Sequence, residues 1–280
     1  MRERQHYIPE FLIKRFCDKC RNLYAARTSE SPPRVFSARP KNIFVKGNRY
    51  SLQDTAISDP HHFEKQFSKF ETMWSQIIGK IVDSVIIGKV PELNKEELFQ
   101  LRYFFVMLWM RNPDAFHEIA TENVFAQAEL EALSAVVEKY GHLTDEQLAA
   151  LQDPGFQRQM RNDGPIRAFA HYPKQSMDFL ETKGFIFARI YRIRWGFILG
   201  SYPVLPAANL SNMMLHREEV AWLPISPEVA ISPGGAPQNF EICRVRNPAR
   251  VLKFNKKIAK KSSLIASENK KQIESVIAKL

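Results

Sequence analysis

The stretch from Pro60 to Gly88, PHHFEKQFSKFETMWSQIIGKIVDSVIIG, decides the fold class. Phe63, Phe67, Phe70, Trp74, Ile77, Ile78, Ile81, Val82 and Val85 recur at intervals of three and four, the period of one helix face. Asp59-Pro60 supplies a cap and a first helical position and Gly88 a stop, so the spacing predicts a helix over roughly 60–88. The chain before it has another rhythm. Residues 22–27 (NLYAAR) and 34–38 (RVFSA) read as two strands joined through Ser, Glu and paired prolines at 29–33. Residues 42–50 (NIFVKGNRY) read as a third strand with a turn at Gly47-Asn48. Ahead of these, Pro9 suits a first helical turn, and Phe11, Leu12 and Phe16 predict a short helix over 9–16.

After Gly88 the helical reading continues. Asn94-Lys95-Glu96-Glu97 is a capping start. The helix behind it, to Arg111, is apolar nearly all round at Leu98, Leu101 and 103–110, as buried helices are. Residues 114–140 read as helix stopped at Gly141, Thr144 opens a further short helix, 153–165 are loop-like, and 166–181 return to helix. Then the period drops to two: residues 184–193 (GFIFARIYRI) alternate Phe185, Phe187, Arg189, Tyr191 and Ile193. Residues 197–199, 220–223, 229–231 and 240–245 are short strands between Pro and Gly punctuation. Residues 247–280 read as helical, with Leu252, Phe254, Ile258, Leu264, Ile265, Ile273 and Val276 on one side and Lys256, Lys257, Lys260, Lys261, Lys270 and Lys271 opposite.

The order is α+β. A short helix and strands occupy 1–58 and a helical bundle 59–182. Short strands in 183–246 join a mixed or antiparallel sheet, and basic helices close the chain over 247–280, all within one domain. The two strand-rich parts are able to share one sheet.

Composition narrows the function. Of 280 residues, 45% are hydrophobic and 25% charged, which excludes a disordered chain, a collagen and a disulfide scaffold. The longest apolar run, 103–110, is far short of the roughly 20 residues of a membrane span. A charged start and three cysteines point to a reducing cytoplasm without membrane attachment. Forty Lys+Arg against 30 Asp+Glu give +10, unevenly placed. Residues 1–50 carry 12 basic and 4 acidic side chains, and residues 244–280 carry 11 and 2, so the middle is net acidic. Basic ends suggest an anionic partner, nucleic acid first. Phosphate-cradling Gly-rich loops and a Gly-x-Ser-x-Gly elbow are absent, so nucleotide motors, dinucleotide oxidoreductases and standard hydrolases find no support.

Several short motifs occur in an order that resembles the bacterial and phage family called domain of unknown function 4238. They are His6-Tyr7-Ile8-Pro9 with Leu12 and Arg15-Phe16, Leu23-Tyr24, Pro40-Lys41-Asn42-Ile43, a helix with Glu64 and Glu71, and Arg111-Asn112-Pro113. Late in the chain come Phe197-Ile198-Leu199-Gly200-Ser201-Tyr202-Pro203-Val204 and Pro224-Ile225-Ser226-Pro227. The resemblance covers nearly the whole chain and implies an architecture and a set of residues, not an activity. Where the family pattern carries an Asp before x-Pro-Val, this chain has Ser201. A serine replaces an aspartate as a turn former but not as a cation ligand.

These residues frame the candidate chemistry. His6 is a potential general base or metal ligand, since its ring titrates near neutrality. Glu64 and Glu71, seven apart, share a helix face and pair with His6 as a potential magnesium or manganese site. Arg111, ending an apolar helix, suits either a phosphate or a buried ion pair with an acid such as Glu71. Lys41, Lys46 and Arg49, with Phe44 and Tyr50 interleaved, suit stacking and phosphate neutralisation, or equally a protected strand edge. Arg15 and Ser201 complete the substrate-binding set. Cys17-x-x-Cys20 lacks the further pair that a zinc site needs. Three functions follow as expectations. The first is a nucleic-acid-acting protein, as a metal-dependent nuclease or toxin-like effector in phage–bacterium conflict. The second is a non-enzymatic basic binding module. The third is a self-associating scaffold that uses helix 98–110 as a homo-oligomer interface.

Overall fold

The computed structural model describes residues 4–47, 62–112, 137–138, 141–142, 144–156, 173–206 and 221–280. In chain order the elements are β1 (Arg4–His6), α1 (Glu10–Lys14), β2 (Leu23–Arg27), β3 (Val35–Ala38), a 3-10 turn (Pro40–Asn42), β4 (Val45–Gly47), α2 (His62–Ile86) and α3 (Lys95–Met110). Then come α4 (Asp145–Gln152), α5 (Lys174–Glu181), β5 (Gly184–Ile190), β6 (Leu199–Gly200), β7 (Leu205–Pro206), β8 (Ala221–Pro224), β9 (Val229–Gly234) and β10 (Phe240–Val245). The chain closes with α6 (Pro248–Lys261), β11 (Leu264–Ser267) and α7 (Lys270–Ile277). The fold is α+β.

Side-chain alternation along β5 sets the layers. Phe185 and Phe187 enter one apolar core, while Ile186, Ala188 and Ile190 enter a second on the opposite face. Its neighbours divide likewise: Val229 and Ile231 against Ala230 on β9, and Leu223 against Trp222 on β8. Covered on both faces, this sheet explains why its strands read as nearly continuous apolar runs. Its order is β10-β5-β9-β8-β7. The β5–β9, β9–β8 and β8–β7 pairs are antiparallel, but β10 runs parallel to β5, with Phe240 beside Phe185 and Val245 beside Ile190. The sheet is therefore mixed.

The first core is filled by α2 and α3. Trp74, Ile78, Ile81 and Val85 of α2 meet Leu101, Phe104 and Met107 of α3, all buried. Trp74 stacks on Phe70 with ring centroids 5.5 Å apart, and its indole N–H donates to Gln100 Oε1 at 3.3 Å. The capping start is realised: Asn94 accepts from the Glu97 N–H and Glu97 accepts from the Asn94 N–H, both at 2.9 Å. At the end of α2, Gly88 adopts φ +84, and the Lys89 N–H returns to the Ser84 carbonyl. Helix α3 spends most of its apolar surface on this core and leaves Trp109 exposed.

Two readings change. Of the third strand expected over 42–50, the described residues form β4, which pairs with β1 instead of the β2–β3 hairpin, while residues 48–50 lie outside the described residues. The 3-10 turn and the positive φ of Phe44 (+56) redirect the chain between them. Residues 247–280 are not helical throughout. Ser262 ends α6, and β11 becomes the centre of a four-stranded sheet, β3-β2-β11-β6. Its Ile265 and Ala266 point into opposite cores, so residues assigned to a helical stripe alternate as a strand. That sheet joins the N-terminal hairpin to β6 from the late strand-rich part, while the larger mixed sheet stands separately. The expected cap at Asp59-Pro60 and the helix at 114–140, apart from 137–138, lie outside the described residues, as do 166–172.

Candidate functional site

The N-terminal candidates meet at Arg111. Arg111 is 2% exposed, a burial that an arginine tolerates only when paired. Nη1 donates to Glu71 Oε1 at 2.9 Å, Nη2 donates to the His6 carbonyl at 2.7 Å, and the guanidinium lies 4.5 Å from the centroid of the Phe67 ring. The spacing of α2 makes this possible, because Phe67 and Glu71 are four apart and so face the same way. The His6 ring is held as well: Nε2 lies 3.1 Å from the Pro40 carbonyl oxygen, an acceptor, so this nitrogen carries the proton and donates. His6, Glu71 and Arg111 thus form one unit whose polar groups answer one another. Glu64 lies on the same helix, with its side chain outside the described residues, and Arg49 also falls outside them. Among the described residues no cluster of His, Cys, Asp or Glu is arranged to hold a metal ion.

Two other candidates border that unit, for Lys41 follows Pro40 and Lys46 stands opposite Gln5 on the paired strand. Lys41 and Lys46 are exposed, on the 3-10 turn and on β4. Arg15 packs against α2 where Gly79 leaves room for it: an added Cβ there would come within 3.2 Å of its Nη2. Burial pulls the Arg15 pKa down and Asp83 pushes it back up. Burial also raises the Cys17 thiol to about 11, aided by Asp18, which leaves it a poor nucleophile.

A different cluster forms where the parallel strands β5 and β10 end side by side. Parallel pairing sends the chain out of both strands at the same end, and the Tyr191 N–H still donates to the Val245 carbonyl at 3.0 Å. Arg192 then turns the chain away with φ +56. The Tyr191 ring carries three guanidiniums: Arg192 at 5.1 Å, Arg246 at 5.6 Å and Arg189 at 5.7 Å from its centroid. Arg194 lies 6.0 Å over Trp195. Among the described residues, none of these four guanidiniums makes an ion pair or hydrogen bond. Like charges so placed repel one another, and an anion would relieve that.

Below this arc lies a cavity of about 340 Å³, bordered by Arg192, Arg194 and Arg246 and floored by Ile193, Val251, Leu252 and Val276. Asn255 and Gln272 in its lining are tied to the backbone. The Gly196 carbonyl accepts from Asn255 Nδ2 at 2.9 Å and from Gln272 Nε2, while Asn255 Oδ1 accepts from the Ile198 N–H at 3.2 Å. Gly196 admits no side chain, since a Cβ would sit 2.2 Å from the Pro227 carbonyl oxygen.

A family model described as "Protein of unknown function (DUF4238)" matches residues 4–272. The chain belongs to that family. No curated protein and no solved structure matches it. The stretch that opens the DUF4238 resemblance, His6 to Pro9, is the part that Arg111 and Pro40 tie down.

Ser201 is fully buried. Its N–H donates to the Leu264 carbonyl at 2.7 Å, its Oγ accepts from the Leu264 N–H at 3.1 Å, and Oγ also lies 3.2 Å from Ser263 Oγ. It fastens the turn after β6 to the start of β11, the work of a turn former. The arginine arc was not among the residues singled out from this DUF4238 sequence. Its signal is the pair of runs RIYRIRW (189–195) and RVRNPAR (244–250), all of whose charges are arginine, with aromatics in the first.

Proposed function

We propose that this protein is a nucleic-acid-binding module whose contact face is the arginine arc, acting without cleaving what it binds. The observation that carries this reading is the set of three guanidiniums on the Tyr191 ring, unpaired among the described residues. Guanidinium groups bind phosphate bidentately, and stacking on an aromatic ring holds them flat for it. Nuclease chemistry with magnesium or manganese draws less support. Glu71 gives an oxygen to Arg111 and His6 gives its Nε2 proton to Pro40, so both are engaged in holding the fold. In this reading the chain works as a single unit in the cytoplasm.

The test is retardation of short DNA and RNA at about 50 mM salt, where phosphate contacts are strong. Wild type is expected to bind, and Arg192→Ala with Arg246→Ala to lose at least about tenfold in affinity. Incubation with magnesium and with manganese is expected to leave the nucleic acid intact. Absence of binding overturns the reading, and cleavage abolished by Glu71→Gln restores the nuclease.

A further inference from the structure

We infer that the cavity under the arginine arc receives an unstacked base, which makes the preferred ligand a single strand over a duplex; this rests on the nucleic-acid reading. At about 340 Å³ the cavity sits at the small end of the roughly 300–1,000 Å³ typical of small-molecule sites. Its buried lining, Val251 and Val276, is apolar and its exposed lining is cationic, the arrangement that suits a flat aromatic group carrying phosphate on either side. A duplex keeps its bases paired and stacked, so only a single strand can offer one at low cost. Arg192, Arg194 and Arg246 line the cavity and are exposed, so they are placed to meet the phosphates flanking an inserted base.

The lining also says how the base is read. Asn255 and Gln272 are buried, and their amide groups are already committed: Asn255 to Gly196 and Ile198, Gln272 to Gly196 and Ser267. They shape the wall and leave little hydrogen-bonding capacity for a base edge. Those two amides therefore contribute shape and not base-edge readout. Trp195 borders the cavity and is half-buried, so its emission reports on occupancy.

Fluorescence anisotropy on the full chain tests this with labelled oligothymidine, oligouridine and a duplex of matched length. The single strands are expected to bind about tenfold tighter than the duplex. Leu252→Trp, which fills the floor, is expected to remove that preference while duplex binding persists. Intrinsic fluorescence gives an independent reading: a single strand is expected to quench wild type, and Trp195→Phe to lose that component. Equal affinity for single strand and duplex overturns the inference but leaves the binding reading standing. Retention of the preference by a folded Leu252→Trp, or an unchanged Trp195 signal at saturation, does the same. Failure of every oligonucleotide to bind overturns both.

Discussion

The molecule holds two groups of cations that differ in what surrounds them. At the N-terminal junction Arg111 is buried, and its partners Glu71, His6 and Phe67 answer it from two other segments. At the ends of β5 and β10, four arginines lie on Tyr191 and Trp195 with no carboxylate paired to them among the described residues. The first is a fastening, and its charge is invisible from outside. The second presents charge to solvent beside a cavity. A net charge of +10 therefore says little until the cations are sorted by whether the fold already satisfies them.

The contrast is broken or sharpened by substitution. The largest effect belongs to Arg111→Ala, which leaves the Glu71 carboxylate and the His6 carbonyl without this donor. A loss of about 3 kcal/mol in unfolding free energy is expected in denaturant titration. A loss under about 1 kcal/mol would make the junction ornamental. Lys80→Ala is expected to cost about 0.5 kcal/mol or less, because its 2.8 Å pair with Glu97 is largely exposed. That pair also fixes a pH dependence. The hydrogen bond from Lys80 holds the Glu97 carboxyl below its ordinary value, so the contribution is present above the unfolded carboxylate range and fades as pH falls through the folded value. Thermal melts of wild type and Lys80→Ala are expected to converge in acid. The smallest effect belongs to the arc: Arg192→Ala with Arg246→Ala should shift stability by no more than about 0.5 kcal/mol. A large loss there would mean these arginines fasten the fold as Arg111 does.

Much of the fold was legible because its signals are local. The three-and-four spacing of 63–85, the capping start at Asn94 and the alternation of 184–190 each carry their own period, and α2, α3 and β5 follow them. Strand β11 was hidden because Leu264 and Ile265 continue the apolar spacing of α6, and only pairing with β2 and β6 makes them a strand. The junction was legible in part: an arginine closing an apolar helix needs an acid, and Glu71 was available on the correct face. The arc was not, since about fifty residues separate its two halves and nothing local encodes the parallel register of β10 beside β5. Alternation also carried the strand reading through Ile193, past the turn at Arg192 that brings the guanidiniums round Tyr191.

The claim that the arc, and not the N-terminal basic cluster, meets the ligand is tested most directly by the salt dependence of single-strand binding. Each phosphate neutralised contributes about 0.7 to the magnitude of the slope of log K against log salt. Replacing Arg192, Arg194 and Arg246 by alanine is expected to flatten that slope by about 2, while Lys41→Ala with Lys46→Ala leaves it unchanged. The reverse result, a slope that responds to the two lysines and ignores the three arginines, would contradict the account.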